Sequence, residues 1–241
     1  MSGVAARRIA TVFIFVGVAA LAPAARAHHG KEYLLVQTTE LPHRGGVFVL
    51  SDQAAQREQG ETALSLGPAL LVGLVDRVSI EVHSHMHREP GEGLSYEATA
   101  PELRISLTRP GSASPVRASV SAEYEVGHGG AHDRVAATGI LGFFRGNSNV
   151  TVNIIAARER EDDARMGWSY AVGFRPRLDR RWDVGAELRG KLNDSAEEPG
   201  HELLVGVYGR VSERFTIKAG VGRGLGEAPA WSFRTGFVLG L

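Results

Sequence analysis

Residues 81–87 concentrate the side chains that could do chemistry in this chain, because Glu81, His83, His85 and His87 recur at every second position. Residues two apart on a β-strand share a face, so on a strand these four side chains point the same way. Neighbouring same-face Cα atoms lie about 6.5–7 Å apart, which lets a His-x-His pair hold one ion. Imidazole suits Zn²⁺, Cu²⁺ and Ni²⁺. Two interpretations stay open: a divalent-metal site at His83, His85 and His87, or a polar, protonatable lining of a lumen.

Catalysis has weaker support. A hydrolase needs a nucleophile activated by a base, and Ser84 lies between two histidines. Adjacent strand residues point to opposite faces, so Ser84 does not meet His83 or His85. The sequence contains no Gly-x-Ser-x-Gly elbow and no cysteine. We therefore expect no enzyme, no catalytic residue and no obligatory cofactor, with a lipid-modifying enzyme as the weakest alternative.

The elements that must position these residues are strands. From residue 45 onward, apolar and polar residues alternate in runs of about 10–16 residues separated by turn signals. In the clearest run Met166, Trp168 and Tyr170 share one parity, and small residues occupy the other. Counting such runs predicts about twelve strands, and no segment has the 3.6-residue apolar spacing of a helix.

Three stretches depart from this pattern. Residues 133–145 are apolar on both faces, so their orientation is not predicted. Parity changes near Pro101, which predicts a β-bulge there. The first run ends near residue 52, and the polar residues 51–60 are predicted to form a loop.

Alternation of this kind occurs in water-soluble sandwiches and in transmembrane barrels, and the connections distinguish the two folds. Short breaks such as residues 146–148 and 212–213 alternate with longer polar ones such as residues 127–132 and 193–200. Tight turns at one end and longer loops at the other are typical of transmembrane barrels. We predict an all-β fold: an antiparallel up-and-down transmembrane β-barrel over residues 45–241.

A barrel in lipid explains why charge keeps to one parity, because Lys or Arg facing hydrocarbon costs about 2–4 kcal/mol at the midplane. Charged residues of that parity are expected to line the lumen and set its selectivity. They are Glu81, Arg117, Glu123, Glu125, Glu187, Arg189, Lys218 and Arg234. These charges fit either opposed ladders around a water-filled pore or a salt-bridged plug.

The amino-terminal residues predict export. Arg7 and Arg8 precede an uncharged apolar run, and Ala25-Arg26-Ala27 forms a cleavage site. Residues 1–27 are therefore a predicted signal peptide, since the apolar run is shorter than the roughly 20 residues that span a bilayer. Residues 28–44 are predicted to be an N-terminal periplasmic leader. The mature chain would begin at His28-His29, whose α-amine and imidazoles form a further candidate copper chelate.

Composition excludes one class of partner. The chain has 27 basic and 27 acidic residues and a formal net charge of zero. Nucleic-acid binding needs a concentrated basic face, so it is not expected. The expected partners are outer-membrane lipid and a small solute of unknown identity.

Trp231, Phe233, Phe237, Leu239 and Leu241 share one parity near the end of the sequence, and Arg234, Gly236, Leu239 and Leu241 follow a polar-x-Gly-x-x-apolar-x-apolar form. This pattern resembles the closing strand of bacterial outer-membrane barrels. The resemblance implies recognition of these four residues by the barrel-assembly machinery.

A wider resemblance covers roughly residues 60–241. Its motifs are Gly-Leu-Val-Asp-Arg at 73–77, Gly-Ala-Glu at 185–187, the glycine-rich residues 220–225, Pro229-Ala230-Trp231 and Arg234-Thr235-Gly236. The chain resembles outer-membrane barrels grouped as transporters, including those of aromatic-compound (phenol) degradation pathways. The resemblance implies a Gram-negative outer-membrane location and passive transport, and it supplies no catalytic residue.

Together these observations predict a passive channel or facilitator for a small solute. The alternative is a non-conducting barrel that binds a divalent metal through lumen-side histidines.

Overall fold

The structure, a computed structural model, describes residues 33–58, 61–109, 111–161, 163–195, 200–226 and 230–241. The predicted signal peptide lies outside these residues. No helix among them is long and apolar enough to cross a membrane. The described strands, in chain order, are β1 (Val47–Glu58), β2 (Glu61–Val75), β3 (Val78–Arg88), β4 (Ser95–Ser106), β5 (Val116–Gly127), β6 (Arg134–Arg145), β7 (Ser148–Glu159), β8 (Gly167–Pro176), β9 (Trp182–Lys191), β10 (His201–Arg210), β11 (Phe215–Leu225) and β12 (Trp231–Gly240).

The strands form one closed sheet. Each strand pairs antiparallel with its neighbours in sequence, and β1 pairs with β12 from Phe48↔Gly240 to Arg57↔Trp231. Closure leaves no unpaired sheet edge. The predicted fold class, a twelve-stranded up-and-down antiparallel barrel, is confirmed.

The two ends of the barrel differ. We call one end the turn end, where the connections are residues 76–77, 107–115, 146–147, 177–181 and 211–214. We call the other the loop end, where the connections are residues 59–60, 89–94, 128–133, 160–166, 192–200 and 226–230.

Most large apolar side chains of the strands face outward, and small or polar ones face the lumen; Phe48, Leu50 and Val238 are among the buried exceptions. On β8, Trp168 and Phe174 are 44% and 46% exposed, whereas Ser169 and Ala171 are buried. Exposed apolar side chains continue around the wall at Val120, Leu141, Ile154, Val205, Val221 and Phe233. A belt of this kind is unfavourable in water and matches the outward face of a membrane barrel.

Strand β6, which sequence alone did not orient, turns Ile140 inward, where it is buried, and Leu141 and Phe143 outward. Both faces are apolar for different reasons. The outward face belongs to the apolar belt, and the inward face packs against residues that precede β1.

Strand β4 contains a bulge, but its position differs from the prediction. The β3–β4 register shifts between His85 and Met86, opposite Ala98 and Tyr96, so the additional residue is Glu97. Pro101 pairs in register with Val82. From Ala98 to Ser106 the even-numbered residues face the lumen. Ala98 and Ala100 are therefore small lumen residues.

Strand β1 is longer than predicted. Residues 51–57, predicted as loop, pair with both β12 and β2, and Glu58 pairs with β2. Their polar side chains find partners in the sheet: Asp52 Oδ1 lies 2.8 Å from Lys218 Nζ inside the barrel, and Gln53 lies 3.5 Å from Thr235 outside it. The first connection at the loop end is therefore short.

Candidate functional site in the lumen

Residues 33–42, which we call the lumen segment, lie inside the barrel. Tyr33 donates its hydroxyl to Asn149 on β7, and its carbonyl accepts a hydrogen bond of 2.8 Å from Lys218 on β11. Gln37 donates to Glu102 on β4 at 3.2 Å. A segment can contact strands on opposite sides of a closed barrel only if it lies inside the barrel. Tyr33 and Val36 are buried, so this part of the predicted periplasmic leader, residues 28–44, packs in the barrel interior.

The segment forms an arch with both ends at the turn end. Tyr33 contacts Asn149, the second residue of β7, and Gln37 reaches Asn153, four residues farther along the same strand. Glu40 then pairs at 3.0 Å with Arg117, the second residue of β5. The arch therefore occupies the turn-end half of the lumen, with Gln37 near its top.

Glu187 on β9 anchors the arch. Its Oε1 accepts the backbone N–H of Leu34 at 2.9 Å, and its Oε2 accepts those of Leu35 and Val36 at 2.6 and 3.1 Å. The hydroxyl of Tyr208 on β10 also donates to Oε1. Glu187 is 1% exposed, and a buried carboxylate is tolerated when hydrogen bonds replace its water. Four donors meet this requirement.

The side-chain amide of Asn153 on β7 pairs with the top of the arch through one acceptor and one donor, as the backbone of a neighbouring strand would. Its Oδ1 accepts the Gln37 N–H at 2.7 Å, and its Nδ2 donates to the Gln37 carbonyl at 2.9 Å. Ser119 on β5 donates to the Thr39 carbonyl at 3.1 Å. Side chains of the wall thus pair with the backbone N–H groups of residues 34–37 and with three backbone carbonyls of the segment.

Glycines in the wall make room for the arch. A Cβ on Gly173 of β8 would lie 2.6 Å from the Tyr33 ring. One on Gly142 of β6 would lie 3.1 Å from Thr39 Oγ1. Real Cβ contacts are rarely this short, so these positions fit the arch because they carry no side chain.

Above the arch, strands β3 to β6 carry what we call the acidic cluster: Glu81, Glu102, Glu123 and Glu125 with His83, His85, Arg104 and Arg134. Glu102 Oε1 lies 2.7 Å from Arg104 Nη2. His83 lies between carboxylates, with Nδ1 3.4 Å from Glu81 Oε1 and Nε2 3.4 Å from Glu123 Oε2.

The other side of the lumen is basic. Glu202 on β10 receives Arg189 of β9 at 2.8 Å and Arg234 of β12 at 3.0 Å, both on Oε2. Ser232 donates its hydroxyl to Oε1 of the same carboxylate. Glu202 therefore forms ion pairs with two arginines, one on β9 and one on β12.

The structure turns all eight predicted lining charges into the barrel and divides them among three environments. Arg117 and Glu187 bind the lumen segment, and Lys218 binds both the Tyr33 carbonyl and Asp52. The acidic cluster contains Glu81, Glu123 and Glu125. The basic side contains Arg189 and Arg234. Their role in selectivity stays a prediction.

The three predicted metal-binding histidines separate. The rings of His83 and His85 lie 4.9 Å apart, but His87 Nε2 lies 2.8 Å from Glu89 Oε1 near the loop end. A different group, Glu81, His83 and Glu102, places one ligand atom from each residue within 4.8 Å of the others.

Sequence analysis missed Glu102, Arg104, Asn153, Glu202 and Tyr208. Glu102 and Arg104 were obscured by the parity change assigned to Pro101. Glu202 has opposite parity to apolar Leu203, which is a signal that was present in the sequence. Asn153 and Tyr208 are important only because of the arch, which no strand pattern indicates.

Two cavities flank the arch at Glu40. One of about 310 Å³ lies toward β3 to β5 and includes Arg109 and Arg117. The other, of about 120 Å³, lies toward β6 to β10 and includes Arg175 and Asp183. The arch therefore narrows the turn end and leaves polar space on both sides.

No protein-family model matches the sequence, and no curated protein matches it. Solved structures do match. The COG4313 outer-membrane channel from Pseudomonas putida F1 is 12% identical, with a TM-score of 0.62 over 83% of this chain and 97% of that chain.

Two porins show the same likeness. The KdgM porin, in complex with disordered oligogalacturonate, is 10% identical with a TM-score of 0.61 over 80% of this chain and 98% of its own. The NanC porin is 10% identical with a TM-score of 0.58 over 81% and 100%. At these identities the likeness shows the fold alone, which is that of porin-like outer-membrane barrels.

Proposed function

We propose that this protein is a passive outer-membrane channel for a small solute. The observation that carries the proposal is a closed wall with apolar side chains outward and charged side chains lining the space above the arch. A barrel of this kind places a polar path within an apolar shell. The porin and channel folds that it resembles support the same conclusion.

The proposed location is the outer membrane of a Gram-negative cell, after export through the predicted signal peptide. Arg234 and Gly236 face the lumen in the finished barrel, where Arg234 binds Glu202 and Gly236 lies beside Asp52. Recognition of Arg234, Gly236, Leu239 and Leu241 by the assembly machinery would therefore precede closure of the β1–β12 seam.

Solute choice would depend on the two charged sides of the lumen. Carboxylates on β3 to β5 face arginines on β9 and β12, so a passing solute crosses a field directed from one wall to the other. The resemblance to barrels of aromatic-compound degradation pathways makes small aromatic acids a first panel for solute tests. That family assignment stays a prediction.

Planar-bilayer recording tests the proposal directly. Refolded wild-type protein is expected to conduct weakly, because the arch narrows the turn end. A variant lacking residues 33–40 is expected to show a conductance several times larger. Glu213→Gln, at an exposed turn outside the lumen, serves as the control and should match wild type. Absence of conductance in both wild type and the deletion variant contradicts the channel function.

A further inference from the structure

We propose that Glu81, His83 and Glu102 bind one divalent transition-metal ion inside the barrel. This proposal goes beyond channel function, because metal binding is measured without any solute flux. It also differs from a site made of His83, His85 and His87.

The ligand geometry comes from strand pairing. Glu81 on β3 pairs directly with Glu102 on β4, and both are 2% exposed. His83 follows two residues after Glu81 on the same face. Zinc ligands lie about 2.0–2.2 Å from the metal, so tetrahedral ligand atoms lie about 3.4 Å apart. His83 Nδ1 and Glu81 Oε1 are already 3.4 Å apart, and the third ligand needs only a small side-chain movement.

The histidine has the orientation of a metal ligand. Its Nε2 lies 3.4 Å from Glu123 Oε2, as in metal sites where the far nitrogen of the imidazole donates to a carboxylate. With the proton on Nε2, the Nδ1 lone pair points at the Glu81 carboxylate. Nδ1 is buried and makes no hydrogen bond. A cation bound between these two electron-rich atoms would remove their repulsion.

Charge supports the same conclusion. Like charges directly opposite on paired strands are destabilising, and the acidic cluster has four glutamates against two arginines. Among the described residues of that cluster, carboxylates outnumber guanidinium groups by two, a difference that one divalent cation would balance. Arg104 and Gln37 hydrogen-bond the Glu102 carboxylate, as supporting groups around metal ligands do.

The donor set selects the metal class. Two carboxylates and one imidazole suit Zn²⁺ or Mn²⁺, whereas Mg²⁺ and Ca²⁺ prefer oxygen ligands alone. His85 is 46% exposed and its Nε2 lies 3.8 Å from Glu125, and His87 pairs with Glu89. His87, which lies outside the acidic cluster, therefore provides a matched control.

Calorimetric titration of the full mature chain in detergent with ZnCl₂ tests the site. Wild type is expected to bind one Zn²⁺ with saturation, and MgCl₂ should give no comparable signal. His83→Ala and Glu102→Gln are expected to weaken binding about tenfold or more. His87→Ala should bind as wild type does, and so should a double variant, His28→Ala with His29→Ala.

Cobalt absorption provides the second measurement. Co²⁺ at the site should give visible ligand-field bands that disappear in Glu81→Gln, a variant that keeps the side-chain volume and so preserves the fold. Absence of saturable binding in wild type overturns the proposal. So does binding that survives His83→Ala or that is lost in His87→Ala. Each of these three results leaves the channel proposal intact, since conductance is not measured.

Discussion

Glu187 is the residue on which the arch most depends, because its carboxylate accepts three consecutive backbone N–H groups and a tyrosine hydroxyl. Hydrogen bonds to charged groups contribute about 1.5–3 kcal/mol each. Glutamine would keep one carbonyl acceptor and replace the other with an amide donor that faces N–H groups. Glu187→Gln should therefore loosen the lumen segment without opening the wall.

The measurement uses the absence of native cysteine. A reporter cysteine at Thr39 should react with a water-soluble maleimide faster in Glu187→Gln than in the otherwise native chain. Glu213→Gln in the same background is the control. Equal labelling rates in all three proteins would show that Glu187 does not hold the segment.

Many of the charged residues that line the lumen could be predicted one residue at a time from the sequence. A single physical rule, the cost of charge in hydrocarbon, is enough to place Arg117, Lys218 and Arg234 inward from their positions in the sequence. The rule did not identify Glu102, because the parity change predicted at Pro101 left the facing of β4 ambiguous and its alanines fit either side. Alanine is small enough for either face, so parity alone does not decide its side.

At the level of elements, β8 shows how the wall is shaped around its contents. Gly173→Ala would place a methyl group about where the Tyr33 ring lies, since the Cβ would be 2.6 Å from it. Overpacking of this kind typically costs about 1–3 kcal/mol. Urea unfolding in micelles should show that loss in the free energy of unfolding.

Gly139→Ala on β6 is the matched control. Its Cβ would point outward with its nearest neighbour at 4.0 Å, so no loss of stability is expected. A result in which both variants unfold alike would mean that the Tyr33 ring adapts without cost.

Elements also show the limits of pattern analysis. Strands with one apolar face, such as β8 and β11, were correctly oriented from sequence. Strand β6 was not, because its inner face packs on the arch and is apolar too. Strand β1 was cut short because Asp52 and Gln53 resemble loop residues, although each has a polar partner on a neighbouring strand.

At the level of the whole molecule, the density of bonds between arch and wall indicates a fixed constriction. A disulfide between Thr39→Cys and Gly142→Cys tests this, because the Gly142 Cβ would lie 3.1 Å from Thr39 Oγ1 and 3.3 Å from Cγ2. A sulfur in place of either Thr39 atom would lie within bonding reach of a sulfur carried by the Gly142 Cβ. Oxidised and reduced double variants should conduct equally.

Thr39→Cys alone, treated with the same oxidant, controls for chemical damage. A conductance that disappears on oxidation and returns on reduction would show that the arch moves during transport. The sequence had no means of placing the arch, since a short apolar run before the first strand also fits a disordered leader. Its position is known from contacts between residues more than a hundred positions apart.

The arch also bears on how the protein is made. Tyr33 and Glu40 both sit near the same rim, so the peptide folds back on itself instead of passing from one rim to the other. A peptide that threaded the ring would have to be in place before the seam joined. A peptide that folds back can enter the lumen from the turn end after the seam has joined. We therefore expect the barrel wall to close first. Insertion of the lumen segment would then be a late, separable step of folding.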